Sequence, residues 1–338
     1  MPFSRKSFLT SSLLGLGAFS LTGYTQSSHG NIRSIIKPKR LQEGATLGLI
    51  APASPIYAQS DFDRMIESLE DLGYKLVLGE HIKDRNGYLA GLDNDRVSDL
   101  HAMFSNDDID GILCTRGGYG SNRILDSIDF DLIQQNPKPF IGFSDITSLH
   151  MAIYKNTGLI TFHGPVGKSY WNDFTVSSWN EILHKSATPI YSIPDDQEGA
   201  FTISPGEAEG ILLGGNLTVL TSLLGSDYLP EFDNAILFLE DVGEDVYRVD
   251  RMFSQLALSG ILDQINGLVF GKCTECSMTT NSMTLKEVLD HYIKPLGIPA
   301  FYGAMISHEE QNLTIPVGIS AAIDAENKTL EILEPAVV

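Results

Sequence analysis

From Leu47 onward the chain alternates short apolar runs with amphipathic stretches, and that alternation restricts its fold more than any other feature. The run "TLGLIAPASP" is closed by prolines. In "DFDRMIESLEDLGY", Phe62, Met65, Ile66, Leu69 and Leu72 share one helical face behind Asp61, the expected cap. "KLVLG", "DGILCTRGGYG", "KPFIGFS" and "LITFHGPV" follow, separated by helical "DNDRVSDLHAMFSNDD", "SNRILDSI" and "DITSLHMAIYKNTG". Buried runs of that length between amphipathic helices imply parallel strands covered on both faces. The expectation is an α/β protein: an N-terminal doubly wound parallel-sheet domain over 40–166, a linker over 167–205, and a second, smaller α/β domain over 206–338.

A formal net charge of −20 argues against a non-specific hold on nucleic acid or on anionic membrane, since both need clustered Lys and Arg. At 338 residues, with 43% hydrophobic and 20% charged side chains, the composition is that of a globular protein with room for two domains. The first 28 residues stand apart. Arg5 and Lys6 precede an apolar run from Phe8 to Leu21 and then small polar residues, the order of an export signal. "SRKSFLT" approaches a twin-arginine motif with Lys6 in place of the second arginine, so Sec export is equally open; a buried N-terminal helix is the plainer alternative. "LTGY" has Tyr24 where a lipidated cysteine would sit, so no lipid anchor is expected. The expected protein is exported and periplasmic with no stable membrane anchor after signal removal, or cytoplasmic if the signal does not function.

Three cysteines bear on redox state. Cys273 and Cys276 form a C-x-x-C that suits a short-loop disulfide, and with no second pair a zinc site is not expected. Cys114, in "GILC", reads as a buried small hydrophobe.

Two loops have the character of a site, because ligands of open parallel sheets gather where strands end and helices begin. "TRGGYGSNR" brings Gly117, Gly118 and Gly120, which let backbone N–H groups approach a ligand, and Arg116, which can neutralise an anion. "GFSD" sets Ser144 and Asp145 at a strand exit, where Ser144 is either a helix cap or a nucleophile beside an oxyanion hole. The glycine loop matches neither a dinucleotide fingerprint nor a Walker loop. A serine nucleophile needs a base and a group that orients it. Among eight histidines, His163 ends a strand and His308 lies in a loop, while His101, His150, His184 and His291 fall in helix-like stretches. Glu240 and Asp241 follow the apolar run Ala235 to Leu239 as cap or site groups, and as neighbours on a strand they point to opposite faces.

Six ordered stretches, "RGGYGSNRILDSIDF", "KPFIGFSDITSLH", "TFHGPV", "EGILLGGNLTVLTSLLGS", "ILFLEDVGEDVYRVDRMFSQL" and "SHEEQNLTIPVG", together resemble the LD-carboxypeptidase family of serine peptidases, which includes the microcin C self-immunity peptidases. The resemblance runs from about Leu47 to the C-terminus. It implies a Ser-Glu-His triad of Ser144, Glu240 and His308, with Ser307 departing from the family's usual glycine. It implies an oxyanion hole from the N–H groups of Gly118 and Asp145, no metal, no cofactor, and a homodimer. The implied reaction releases a terminal D-amino acid from a murein tetrapeptide. Arg116 is the physical candidate for holding that peptide's carboxylate, with Asn216 a second polar contact. Two alternatives stand beside it: a peptidase for peptide-nucleotide antibiotics, with Trp171 or Trp179 as a base platform, and an exported solute-binding protein without chemistry.

Overall fold

Five short strands run parallel in the first half of the chain: β1 (Thr46–Ile50), β2 (Lys75–Leu78), β3 (Gly111–Cys114), β4 (Phe140–Gly142) and β5 (Thr161–His163). The computed structural model describes residues 34–338 apart from Asp195, Asp196 and Glu198, so the expected export signal lies outside the described residues. Between the strands lie α1 (Gln59–Asp71), α2 (Asp93–Ser105), α3 (Phe130–Gln135) and α4 (Thr147–Thr157). Leu47, Leu49, Ile112, Leu113, Phe140 and Phe162 are fully buried, each worth about 1.5–3 kcal/mol of transfer from water. The expected helix at "SNRILDSI" is a 3-10 helix, Ser121–Ser127. Asp61 is not a cap: it sits in the first turn of α1, where its carboxylate faces Arg64 and Lys168 instead of a backbone N–H.

The stretch 167–205 holds α5 (Asp173–Trp179) and two strands, β6 (Ile190–Ser192) and β7 (Phe201–Ser204). Beyond it come β8 (Glu207–Asn216), α6 (Leu217–Ser222), β9 (Ala235–Val242), α7 (Val246–Leu258), β10 (Gly267–Thr274), α8 (Leu285–Ile293) and β11 (Ala300–Tyr302). Next, β12 (Ile315–Val317) returns to the first sheet, pairing antiparallel with β5. The chain closes with β13 (Ser320–Asp324) and β14 (Thr329–Ile332).

The first sheet has the order β12-β5-β4-β3-β1-β2, with the chain reversing direction across the sheet at β1. The second has the order β6-β14-β13-β8-β9-β10-β11-β7, with β8 to β11 parallel at its centre. The molecule is therefore α/β with two sheets, as the alternating pattern implies. Among the described residues no helix is long and apolar enough to cross a membrane. Cys273 and Cys276 are joined by a disulfide at the end of β10, and Cys114 is buried with its thiol pKa pushed up by that burial.

Candidate active site

Ser144 is held in a conformation that side chains other than glycine seldom adopt. Where β4 gives way to a 3-10 turn (Ser144–Ile146) and then α4, its φ is +64°. Such a backbone costs about 1–3 kcal/mol and persists only when its surroundings impose it. Here they do. Asp145 is buried, and its Oδ2 accepts from Ser121 N–H (2.8 Å) and Ser121 Oγ (2.6 Å). Ser121 Oγ also lies 2.7 Å from Ser148 Oγ on the first turn of α4. Burial raises the Asp145 pKa, opposed by the Ser121 hydrogen bonds. The glycine loop after β3 closes on the same turn: a Cβ at Gly117 would lie 2.8 Å from Ser144 Cβ, so only glycine lets the two loops meet.

Glu240 occupies the end of β9 and is wholly buried. Its Oε2 accepts from His308 Nδ1 at 2.7 Å, which leaves Nε2 as the free nitrogen of the neutral ring. Its Oε1 accepts from Asn216 Nδ2 at 3.1 Å, directly across the β8–β9 register. The Asn216 amide also donates to Asp241 Oδ1 (3.1 Å), and its Oδ1 caps α6 at Val219 N–H (3.1 Å). Asn216 is thus corrected from a substrate contact to a group that positions Glu240, because its side chain is buried and spent on these three partners. Asp241 has its pKa raised to about 6, first by burial and then by the Glu240 charge.

His308 feels opposed influences. Burial disfavours its charged form, but the Glu240 hydrogen bond and charge, with Asp241 and Glu309 beyond, outweigh that and raise its pKa. Its loop is anchored by the residue that departs from the family pattern. Ser307 is buried, and its Oγ accepts from Lys272 N–H at 2.5 Å, where β10 slips register against β9.

Ser144, His308, Arg116 and Gly118 line one cavity of about 440 Å³. Serine and imidazole, distant in sequence, share its wall. Arg116 donates to Pro55 O at 3.2 Å and has no carboxylate partner among the described residues. Gly118 has a φ of +111°, and its N–H has no hydrogen-bond partner among the described residues. Lys168, Ser169 and Val242 complete much of the lining. Nothing in periodicity or motif marks Lys168 and Ser169 in advance, since they follow "TFHGPVG" in a stretch without regular pattern. A neighbouring cavity is larger, about 780 Å³, but no serine–imidazole couple borders it.

Four other histidines among the described residues are held in structural contacts. His163 is buried, with Nε2 on Ile306 O (2.8 Å) and its pKa lowered by burial, so it supports the His308 loop from beneath. His150 Nε2 meets Gly142 O (2.8 Å), His101 Nε2 accepts from Asp129 N–H (2.9 Å), and His184 Nε2 lies 2.6 Å from Tyr74 Oη. Trp179 is buried against Tyr74, which removes it as a base platform. Trp171 instead borders the larger cavity.

Comparison with known proteins identifies the family. Residues 47–164 match the model of the LD-carboxypeptidase N-terminal domain, and residues 209–323 that of the C-terminal domain. "Probable murein peptide carboxypeptidase" of Bacillus subtilis is 40% identical over 301 residues, covering 87% of this chain and 93% of that one. The microcin C7 self-immunity protein MccF of Escherichia coli is 32% identical over 325 residues, covering 87% and 94%. A solved structure of MccF in complex with glutamyl sulfamoyl guanosine superposes with a TM-score of 0.84 at 31% identity, covering 89% of this chain and 99% of that one. In class the protein is a serine carboxypeptidase. More narrowly, the chain belongs to the LD-carboxypeptidase family.

Proposed function

We propose that the protein hydrolyses the L,D-peptide bond joining a terminal D-amino acid, such as D-alanine, to a murein tetrapeptide, through Ser144, His308 and Glu240. One observation carries the reading: a serine on a left-handed turn and an imidazole fixed by a buried carboxylate border one cavity. His308 Nε2 takes the Ser144 Oγ proton as the oxygen attacks the scissile carbonyl carbon. Glu240 holds the tautomer and stabilises the imidazolium. The carbonyl oxygen becomes an oxyanion facing the N–H groups of Gly118 and Asp145, and losing one such donor costs roughly 10²–10³ in rate. As the C–N bond breaks, His308 returns the proton to the leaving amine and the free D-amino acid departs. Water, deprotonated by the same imidazole, then cleaves the Ser144 ester and restores the enzyme.

Arg116 is the group for the terminal carboxylate, because its guanidinium is otherwise uncommitted to an acid beside Ser144. The test is mass spectrometry of a tetrapeptide incubated with the purified protein, where loss of one D-alanine from the stem names the bond. Ser144→Ala is expected to lower turnover by about 10³-fold or more while the circular dichroism spectrum is unchanged. An active Ser144→Ala enzyme removes the nucleophile assignment. A peptide-nucleotide substrate cut in preference to the tetrapeptide would instead align this chain with the self-immunity relative.

A further inference from the structure

The C-x-x-C of the sequence stands at the end of β10, beside the loop that carries His308, and its disulfide takes no part in the chemistry proposed above. Residues on both sides of Cys273 hold both neighbours of that histidine. Lys272 N–H donates to Ser307 Oγ at 2.5 Å, and Thr274 Oγ1 donates to Glu309 Oε1 at 2.9 Å. Cys273 N–H itself donates to Tyr302 Oη at 3.2 Å. The turn grips the carboxylate side as well. Beyond the register slip Cys273 pairs with Asp241 and Thr274 with Val242, a lining residue of the catalytic cavity. Gly243 N–H donates to Thr274 O (2.8 Å), Ser277 N–H to Glu244 O (3.0 Å) and Val246 N–H to Ser277 O (3.0 Å).

The bond joins cysteines only three positions apart. So short a loop has little chain entropy to lose, and the disulfide adds less to overall stability than one closing a long loop would. What it fixes is local. Cys276 N–H donates to Cys273 O at 3.2 Å, and Glu275 between them has a φ of +55°, a conformation that the closed ring holds. The two cysteines differ in access. Cys273 is buried, whereas Cys276 is half-buried between exposed Glu275 and Ser277. A thiolate from outside therefore reaches the Cys276 sulfur, with Cys273 as the leaving group.

We propose that the Cys273–Cys276 disulfide is a redox switch on the catalytic histidine: reducible by a dithiol, it holds the His308 loop in its working position only while oxidised. A thiolate of the dithiol attacks Cys276 Sγ, the S–S bond breaks, its electron pair goes to Cys273 Sγ, and that sulfur takes a proton. The reductant's second thiol then displaces Cys276, which leaves as a thiol. The protein has gained two electrons and two protons, and the dithiol departs as a cyclic disulfide. With the ring open, Glu275 relaxes out of the left-handed region, and the Lys272–Ser307 and Thr274–Glu309 bonds lose their fixed register. The imidazole then drifts from Ser144. The proposal rests on the Ser144–His308–Glu240 reading for its effect on turnover.

Dithiothreitol is the probe. The folded protein is treated, alkylated and mapped by mass spectrometry, while tetrapeptide kinetics and circular dichroism are followed. The label is expected on Cys273 and Cys276 but not on buried Cys114, with kcat lowered about tenfold to a hundredfold, KM little changed and the spectrum retained. Reoxidation should restore kcat. Cys273→Ser/Cys276→Ser is expected to carry the low kcat and to ignore dithiothreitol. Reduction with kcat unchanged overturns the switch, as does a double variant with full kcat. So does a bond that dithiothreitol leaves intact in the folded protein, or a loss of kcat that only follows unfolding. The low-field proton resonance of His308 Nδ1–H on Glu240 separates this from the activity reading. If oxidised protein cuts no tetrapeptide yet that resonance vanishes on reduction, the activity falls and the switch stands. If nothing is cut and the resonance is unmoved, both fall.

Discussion

At His308 a single hydrogen bond decides the charge of the ring over the working pH range. In the proposed mechanism the ring must be neutral to accept the Ser144 proton, and the Glu240 bond and charge keep its pKa above the ordinary 6.5 despite burial. The acid limb of kcat/KM is therefore expected to lie above pH 6.5 and to fall as the pH drops through it. Glu240→Gln removes that charge and leaves burial opposed only by the weaker Asp241 and Glu309 charges. The limb should move to lower pH while the maximum falls by up to about 10⁴-fold, because the amide no longer enforces the productive tautomer. A pH–rate series on both enzymes checks this, and an unmoved limb would assign the titration to another group. The same shifts act on stability. A raised His308 pKa stabilises the fold fully below the unfolded value of about 6.5 and is lost as pH rises through the folded one. Asp241, raised from 3.8 to about 6, likewise favours the fold at low pH, its contribution fading across that interval.

At the scale of elements, the site depends on α4 docking against the junction of β8 and α6. Thr147, the first residue of α4, accepts from Asn216 N–H through its Oγ1 at 2.9 Å, which sets the Ser144 turn beside the Asn216–Glu240 couple. Gly215 makes the approach possible: its φ is +145°, and a Cβ there would lie 2.4 Å from Thr147 Oγ1. Gly215→Ala should destabilise by about 1–3 kcal/mol and lower kcat disproportionately, as the serine and carboxylate elements are pushed apart. Thermal melts alongside kcat would show it, and a variant with unchanged kcat would mean that the docking does not set the geometry. Much of the first sheet was legible because runs such as Gly111–Cys114 are continuous apolar segments bounded by glycine or proline. Ser144, Glu240 and His308 were legible only as parts of ordered motifs, since each alone reads equally well as a cap or a surface group. The Asn216 bridge was not, because its partners depend on β8–β9 register. The short edge strands β6 and β7 escaped notice because three or four partly exposed residues carry no clear period.

Over the whole molecule, the two sheets are interlaced rather than strung in series. The edge of the first sheet is completed by β12, which the chain reaches only after β11 of the second, and β13 then re-enters the second. The ends of the described chain are tied together as well: Arg40 N–H donates to Val338 O at 2.9 Å, and Val338 N–H to Pro38 O at 3.0 Å. A fragment ending near residue 205 would lack β12, with its buried Ile315 and Val317, and so leave the β5 edge unpaired. Residues 34–338 are accordingly expected to unfold in one cooperative transition, even though the chain exceeds the length at which single domains usually do so. Calorimetry provides the measurement: the van't Hoff and calorimetric enthalpies should agree, and 40–205 expressed alone should give no cooperative melt. Two resolved transitions, or a fragment that melts sharply, would show independent domains. The catalytic geometry would then rest on a hinge between them rather than on shared strands.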